Sequence, residues 1–333
     1  MTDLIHHVTR VAQFQANAHA ILNELSKVMV GQASLTHELL VTLLGGGNAL
    51  MEGVPGLGKT MLVRTLSRVL DCSFNRIQFT PDLMPADITG TVIIAETPDG
   101  RRGFRFERGP LFANLVLADE INRAAPRTQS ALLEAMQEQR VTVAGENYRL
   151  PQPFFVLATQ NPIELEGTYP LPEAQLDRFF YKIVVPSPTE EDLVEIARRT
   201  TGAETAELKV VADAQTLIEM QSLAREVPVE ERVYRYAARL VGLTYPEAED
   251  APAPIRRYLR TGVSPRGMQA LILAAKVEAL LDSRKAVAIK DIRRVIHPAL
   301  RHRLFLSYEA LSDGITTGEI LDQVLDLVPV PKA

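Results

Sequence analysis

The run Gly53-Val54-Pro55-Gly56-Leu57-Gly58-Lys59-Thr60 satisfies the pattern G-x-x-x-x-G-K-[ST] at every fixed position. It follows the apolar residues 48–52, read as a strand, and precedes residues 61–66, read as the start of a helix. That order predicts an α/β chain whose loop turns backbone N–H groups toward a phosphate at a helix N-terminus. Lys59 is then placed to reach the β- and γ-phosphates of a nucleotide, and the Thr60 hydroxyl to ligate Mg²⁺.

The rest of the chain supplies the elements such a core needs. Val8, Val11, Phe14, Ile21, Leu22, Leu25 and Val28 recur mostly at spacings of three or four, predicting an amphipathic helix that ends at Met29-Val30-Gly31-Gln32. A second helix through Leu35, Leu39, Leu40 and Leu43 stops at Gly45-Gly46-Gly47. Further strands are expected at residues 73–79, 114–118, 154–159 and 180–185. A helix is expected at 126–139, with Leu132, Leu133 and Met136 on one face and Pro126 near its first position. Residues 91–107 read as a hairpin around Pro98-Asp99-Gly100 with Arg101-Arg102 at its tip, and residues 141–150 as another turning at Gly145-Glu146-Asn147. Strands alternating with helices imply a mostly parallel sheet covered on both faces.

After the linker Pro186-Ser187-Pro188 the strand signal stops. Thr189 and Asp192 form a capping-box variant that opens a helix. Met268, Leu271, Ile272, Ala275 and Ala279 trace a helical stripe. Residues 1–188 are therefore expected to form N-terminal helices and an α/β core, and residues 189–333 a helical second domain. There is no internal repeat.

Leu115-Val116-Leu117-Ala118-Asp119-Glu120 is an apolar strand ending in two acids. A buried parallel strand delivers its last residues to the crevice where ligands bind. Asp119 is thus expected to hold the Mg²⁺ bound to Thr60, and Glu120 to polarise a water for attack on the γ-phosphate. Asn161 ends the next strand and is a candidate for holding that water or the γ-phosphate; the plain alternative is a turn, since Asn-Pro is a turn dipeptide. Arg178 lies in Leu176-Asp177-Arg178-Phe179-Phe180 and is a candidate for stabilising charge on a transferring phosphate, in cis or from a neighbouring subunit. Its plain alternative is a surface pair with Asp177. Arg266, in Ser264-Pro265-Arg266, is a candidate for coupling the second domain to phosphate state.

Composition excludes several classes. With a net charge of −5 and scattered lysine and arginine, bulk attraction to nucleic acid is not indicated. The six histidines form no H-E-x-x-H or Cys/His cluster, so no zinc site is suggested, and no Ser-His-Asp elbow is visible. The one cysteine, Cys72, precludes an intramolecular disulfide, fits a cytoplasmic address and reads as a small buried residue. No apolar run reaches the roughly 18 residues that span a bilayer. Residues 1–16 carry acid and histidine before any apolar stretch, unlike a signal peptide.

Together these residues resemble the AAA+ ATPases, and more narrowly the MoxR family, in the clade that includes magnesium chelatase motor subunits and MCM helicases. Val30-Gly31-Gln32 resembles the adenine-side box, residues 53–60 Walker A, and residues 115–120 Walker B. Asn161 resembles sensor 1, Arg178 the arginine finger and Arg266 sensor 2. Residues 118–124 and 171–179 are especially MoxR-like. The hairpin at 91–107 resembles the clade's helix-2 insert, and that at 141–150 its pre-sensor-1 hairpin. The resemblance covers nearly the whole chain. It implies a P-loop core with a mostly parallel five-stranded sheet and a C-terminal all-helical lid. It implies ATP and Mg²⁺ as ligands, with nucleotide contacts from Val30, Gly31, Pro55, Gly56, Leu57, Gly58, Lys59, Thr60, Met61 and Arg266. It implies a homo-oligomeric ring, usually a hexamer, with ATP at the subunit interfaces. It implies a chaperone-like role in maturing or activating protein complexes, often with von Willebrand factor A domain partners. Arg123 and Arg127 are further candidates for interface arginines.

Three other readings remain open at this level. They are a chelatase-like motor for metal insertion into a cofactor, a nucleic-acid motor, and a nucleotide-gated scaffold without turnover. The intact Glu120 argues against the scaffold. At 333 residues the chain is filled by core and lid, so an effector is expected on a separate chain.

Overall fold

The computed structural model describes residues 2–54, 56–96, 102–161, 167–202 and 206–331. Pro55 and the turn of the first hairpin, including Arg101, lie outside them. The chain enters through helices α1 (Thr2–Ser26) and α2 (Ala33–Leu44), then runs through β1 (Ala49–Glu52), α3 (Lys59–Val69) and β2 (Phe74–Gln78). A short helix α4 (Pro85–Thr89) leads into the hairpin β3 (Gly90–Glu96) and β4 (Arg102–Arg108). Next come β5 (Leu115–Asp119), α5 (Pro126–Glu138), the hairpin β6 (Arg140–Val143) and β7 (Glu146–Arg149), β8 (Phe155–Gln160), α6 (Glu173–Leu176) and β9 (Tyr181–Val184).

Five strands form one parallel sheet in the order β2-β5-β8-β1-β9. Its central strands β1, β5 and β8 are almost continuously apolar because both faces are covered, whereas the edge strand β2 carries Asn75, Arg76 and Gln78. Alternation sorts their side chains between two cores. Ala49, Met51, Leu115, Leu117, Phe155 and Leu157 face α1, α2 and α3. Leu50, Val116, Ala118, Val156 and Ala158 face α5 and the hairpins. Burying a leucine completely, as at Leu115 and Leu117, stabilises by about 1.5–3 kcal/mol each. Insertion of β8 between β1 and β5 aligns the C-terminal ends of three strands, and Lys59, Asp119, Glu120 and Asn161 stand at or after those ends.

The remaining chain is helical apart from one short antiparallel ribbon. It comprises α7 (Glu190–Thr201), α8 (Ala214–Glu226), α9 (Glu231–Gly242), α10 (Ala253–Tyr258), β10 (Leu259–Thr261), α11 (Pro265–Leu281), α12 (Ile289–Leu300), β11 (Phe305–Leu306), α13 (Tyr308–Ser312) and α14 (Thr317–Leu327). Thr189 caps α7 reciprocally: its hydroxyl accepts from the Asp192 N–H at 3.2 Å, and Asp192 accepts from the Thr189 N–H at 3.0 Å. The core beneath α1–α3 continues into α8, α9, α11, α12 and α14 through Leu217, Leu240, Leu271, Ile296 and Leu321.

Besides the β10–β11 ribbon in a domain expected to be all helical, two local features depart from the sequence reading. The second hairpin turns at Ala144-Gly145, one residue earlier than Gly145-Glu146-Asn147, with φ of 52° and 84°. A two-residue turn needs positive φ at both positions, and alanine there hides the signal. Helix α4 was not anticipated, because five residues are too few to show a period. Asp87 stabilises it by accepting from the Met84 N–H at 2.8 Å.

Candidate functional site

The loop after β1 is anchored at both ends. The Gly53 N–H donates to the Gln160 carbonyl at 3.4 Å, and Lys59 Nζ donates to the Gly53 carbonyl at 2.5 Å. Gly58 adopts φ of 77° as it caps α3, a left-handed conformation that favours glycine. Burial pushes the half-buried Lys59 ammonium below its ordinary value, while Asp119, Glu120 and Glu52 pull it back up. Its one hydrogen bond among the described residues, to a neutral carbonyl, can be exchanged for phosphate oxygens. Thr60 is partly exposed in the first turn of α3, and a side chain at Gly56 would meet nothing within 4 Å, so the loop is open toward solvent. These features fit a bound polyphosphate.

Asp119 and Glu120 follow at the end of β5 and are organised by one hydroxyl. Thr159 Oγ1 donates to Asp119 Oδ1 at 2.6 Å and accepts from the Glu120 N–H at 2.9 Å. Glu120 adopts φ of 56° and ψ of 50°, an uncommon conformation for a non-glycine residue. Its carboxylate accepts from Gln78 Nε2 at 3.0 Å and lies 3.4 Å from Arg123 Nε. Arg76 occupies the other side of Asp119, with 2.6 Å from its guanidinium to Oδ2. Gln78 pairs with Asp119 in the sheet, so Arg76 and Gln78 share a face of β2. Arg76, Gln78 and Thr159 were missed from sequence; alternation along β2 was the available signal for the first two. Asn161, immediately after β8, is buried beside this group.

The other side of the loop meets α1, α2 and α7. Gly31 has φ of 67°, and a Cβ there would fall 2.0 Å from Asp192 Oδ1, so this glycine allows the close approach of the α7 cap. Gln32 Nε2 donates to the Leu57 carbonyl at 3.4 Å. A Cβ on Gly58 would lie 3.6 Å from the methyl carbons of both Met29 and Met61, placing those side chains against the loop. Val30 is partly exposed here, and Met61 lines a cleft of about 940 Å³ between α3 and α7. The cleft is wide enough for a base beside the phosphate loop.

Arg178 and Arg266 are brought together, but at the opposite end of the sheet. Both line a cavity of about 290 Å³ with Gly46, Asn48 and Phe180. Asn48 precedes β1 while Gly53 follows it, a separation of about 16 Å at roughly 3.3 Å per residue. Asp177 does not hold Arg178 in a surface pair. Its Oδ1 accepts from Ser264 Oγ at 2.7 Å and from Arg303 Nε at 2.9 Å. Arg303 also donates to the carbonyls of Asp177 at 3.1 Å, Phe179 at 2.6 Å and Phe180 at 3.2 Å. His302 Nε2 donates to the Phe179 carbonyl at 3.0 Å, while burial first and Arg303 second hold the ring well below its ordinary pKa and therefore neutral. The segment carrying Arg178 is thus fixed by the chain just after α12, a role for Arg303 and His302 that no local motif signals. Among the described residues no group of three or more His, Cys, Asp and Glu forms a candidate metal cluster, and no helix is long and apolar enough to cross a membrane.

Residues 48–181 match the ATPase family associated with various cellular activities (AAA), and residues 254–324 match the AAA lid domain. The chain is 43% identical to Chaperone MoxR1 of Mycobacterium tuberculosis, covering 93% of this chain and 81% of that protein. It is 34% identical to Protein MoxR of Paracoccus denitrificans, covering 93% and 95% respectively. A crystal structure of a candidate ATPase from Cytophaga hutchinsonii superposes with a TM-score of 0.93 at 38% identity, over 100% of both chains. The phosphate loop, the paired acids beside it, the parallel sheet and the helical lid agree with these likenesses, and the chain belongs to the MoxR family of AAA+ ATPases.

Proposed function

We propose that the chain hydrolyses ATP with Mg²⁺ in a ring of identical subunits, six in number, and uses the cycle to remodel a protein partner. The observation that carries the reading is the division of the machinery. Lys59, Thr60, Asp119 and Glu120 converge at one end of the sheet, and the cavity lined by Arg178 and Arg266 lies at the other, with the length of β1, about 16 Å, between Asn48 and Gly53. A side chain cannot cover that distance within one subunit. In a ring, the arginine pair of one copy completes the phosphate site of the next.

Val30, Gly31 and Met61 would flank the base, and the residues from Pro55 to Thr60 would wrap the phosphates. Thr60 and Asp119 would hold Mg²⁺, which would offset the charge of the phosphate oxygens. Glu120 would accept a proton from the attacking water, with Asn161 orienting it. Arg178 and Arg266 of the neighbour would stabilise charge on the transferring group. For partner recognition, the first hairpin offers Ile94 and Phe104, paired across β3 and β4 and 67% and 83% exposed, as an apolar contact for a protein. The family resemblance and the chaperone name of a relative support a protein partner, one carrying a von Willebrand factor A domain, and a cytoplasmic setting.

The test uses two inactive proteins. Lys59→Ala should lose ATP binding, whereas Arg178→Ala should keep binding and lose turnover by about 10³-fold or more. Mixed in equal amounts with subunit exchange, they should regain turnover at up to about a quarter of the interfaces, where good halves meet. No recovery at any ratio, with exchange shown by labelled subunits, overturns the shared site.

A further inference from the structure

Arg64 and Arg68 stand one turn apart on the exposed face of α3, the helix that begins at the phosphate loop. Both line the cleft between α3 and α7, one to two turns along the helix beyond Met61, where the base would sit. The other cations there are engaged: Lys27 lies 2.7 Å from Glu24, and Arg199 and Arg198 lie 2.7 and 3.9 Å from Glu195. Arg64 and Arg68 form no ion pair among the described residues. Two unpaired guanidinium groups on one helix face, crowded by further cations, are favoured when an anionic surface sits opposite.

The face that carries Arg178 offers such a surface. Glu134 and Glu138 are exposed one turn apart on α5 and share a cavity of about 240 Å³ with Arg178. Glu134 forms no ion pair among the described residues, and Glu138 meets only the exposed Arg140, at 3.3 Å. That contact contributes little and is readily exchanged. The spacings match: four helical residues rise about 6 Å, so the two bases and the two acids have the same pitch. Their places relative to the nucleotide also match. Arg64 lies about 6 Å along α3 from Thr60, and the acids lie beside the arginine that would approach Thr60 from the next copy.

We propose that Glu134 and Glu138 of one copy dock on Arg64 and Arg68 of the next. The proposal rests on the shared-site reading of Arg178 and deepens it by assigning the contact that sets the angle between subunits. An arginine reaching a phosphate leaves the approaching subunit free to rotate about that point. A second, two-point contact along α3 removes the freedom.

The assembly midpoint of the full chain is measured by sedimentation velocity with a non-hydrolysable ATP analogue, and binding of a fluorescent ATP is read in parallel. Arg64→Glu with Arg68→Glu, and separately Glu134→Arg with Glu138→Arg, should each raise the midpoint concentration about tenfold or more, because attraction becomes repulsion. The chain carrying all four substitutions should return to within about threefold of the parent, a rescue that misfolding would not give. The proposal is overturned if either reversed chain assembles at the parent midpoint, or if the fourfold variant stays as weak as the double ones. A parent that remains monomeric at every concentration removes the ring itself, an outcome distinct from both.

Discussion

Asp177→Ala removes the carboxylate that joins the segment carrying Arg178 to the lid. Arg303, only 3% exposed, is held by that carboxylate at 2.9 Å. Burial lowers its guanidinium below the ordinary value even though Asp177 pulls the other way, so its charge is costly already in the intact protein. Breaking a fully buried ion pair destabilises by about 3–5 kcal/mol. Two features reduce that figure. Asp177 keeps some contact with water at 17% exposure, and the carbonyls of Asp177, Phe179 and Phe180 still accept from Arg303. About 2–3 kcal/mol remains, including the acceptor lost to the Ser264 hydroxyl. Unfolding entropy of about 2.1 cal/mol/K per residue gives about 0.7 kcal/mol/K for the 333-residue chain. The melting temperature should therefore fall by about 3–4 °C if the chain unfolds as one unit. Asp177→Asn keeps one acceptor oxygen and should lose less than half as much. Scanning calorimetry on the three proteins decides the matter. An Asp177→Ala chain that melts within about 1 °C of the parent would refute the role of this pair in holding the lid to the core.

Three further outcomes are expected. Arg76→Gln frees one side of Asp119, and should lower the Mg²⁺ needed for half-maximal binding of a fluorescent ATP by up to about fivefold, the limit set by so exposed an arginine; weaker Mg²⁺ dependence of the parent than of the variant would contradict this. His302 stays neutral in the fold, while the unfolded chain takes up its proton below about pH 6.5, so this residue's contribution is full above that pH and declines as pH falls. His302→Gln should flatten the loss of urea midpoint between about pH 6.5 and 5, and an unchanged slope counts against it. Burial pushes the Cys72 thiol up to about 11. A thiol reagent at neutral pH should then modify native protein about 100-fold more slowly than protein in urea, and equal rates would show an ordinary, accessible thiol.

The fold was legible wherever a local rule fixes it. The glycine-rich loop located β1 and α3, and the apolar runs at 115–118 and 155–159 are buried strands. The acids, Asn161 and the loop could be picked out as candidates because each stands at or directly after the end of a strand. What stayed hidden depends on neighbours distant in sequence. The contact of Gln78 with Glu120 requires β2 to lie beside β5, and sequence alone does not give strand order. Asp177 has Arg178 beside it in sequence, yet its partner is Arg303, 126 residues away. Arg266 was recognisable as a candidate, but its position next to Arg178 depends on how the lid docks.

The contact between the two hairpins has a mechanical consequence. A two-stranded ribbon by itself bends easily and is marginal in water. Here the Phe106 and Tyr148 rings stack 4.0 Å apart, and Phe112 meets Phe106 edge-on at 5.6 Å, clamping one ribbon to the other. The clamped ribbons share one stiffness, so load at either end is borne by both. The second ribbon continues directly from α5, which begins just beyond Glu120. Through the Phe106–Tyr148 stack, rotation of α5 would be passed to the first ribbon, the longer of the two. A strand of seven residues spans about 23 Å, so a rotation of about 10° at its base carries the far end through about 4 Å. Phe104 rides near that end, where a few degrees of rotation become a stroke as long as a side chain.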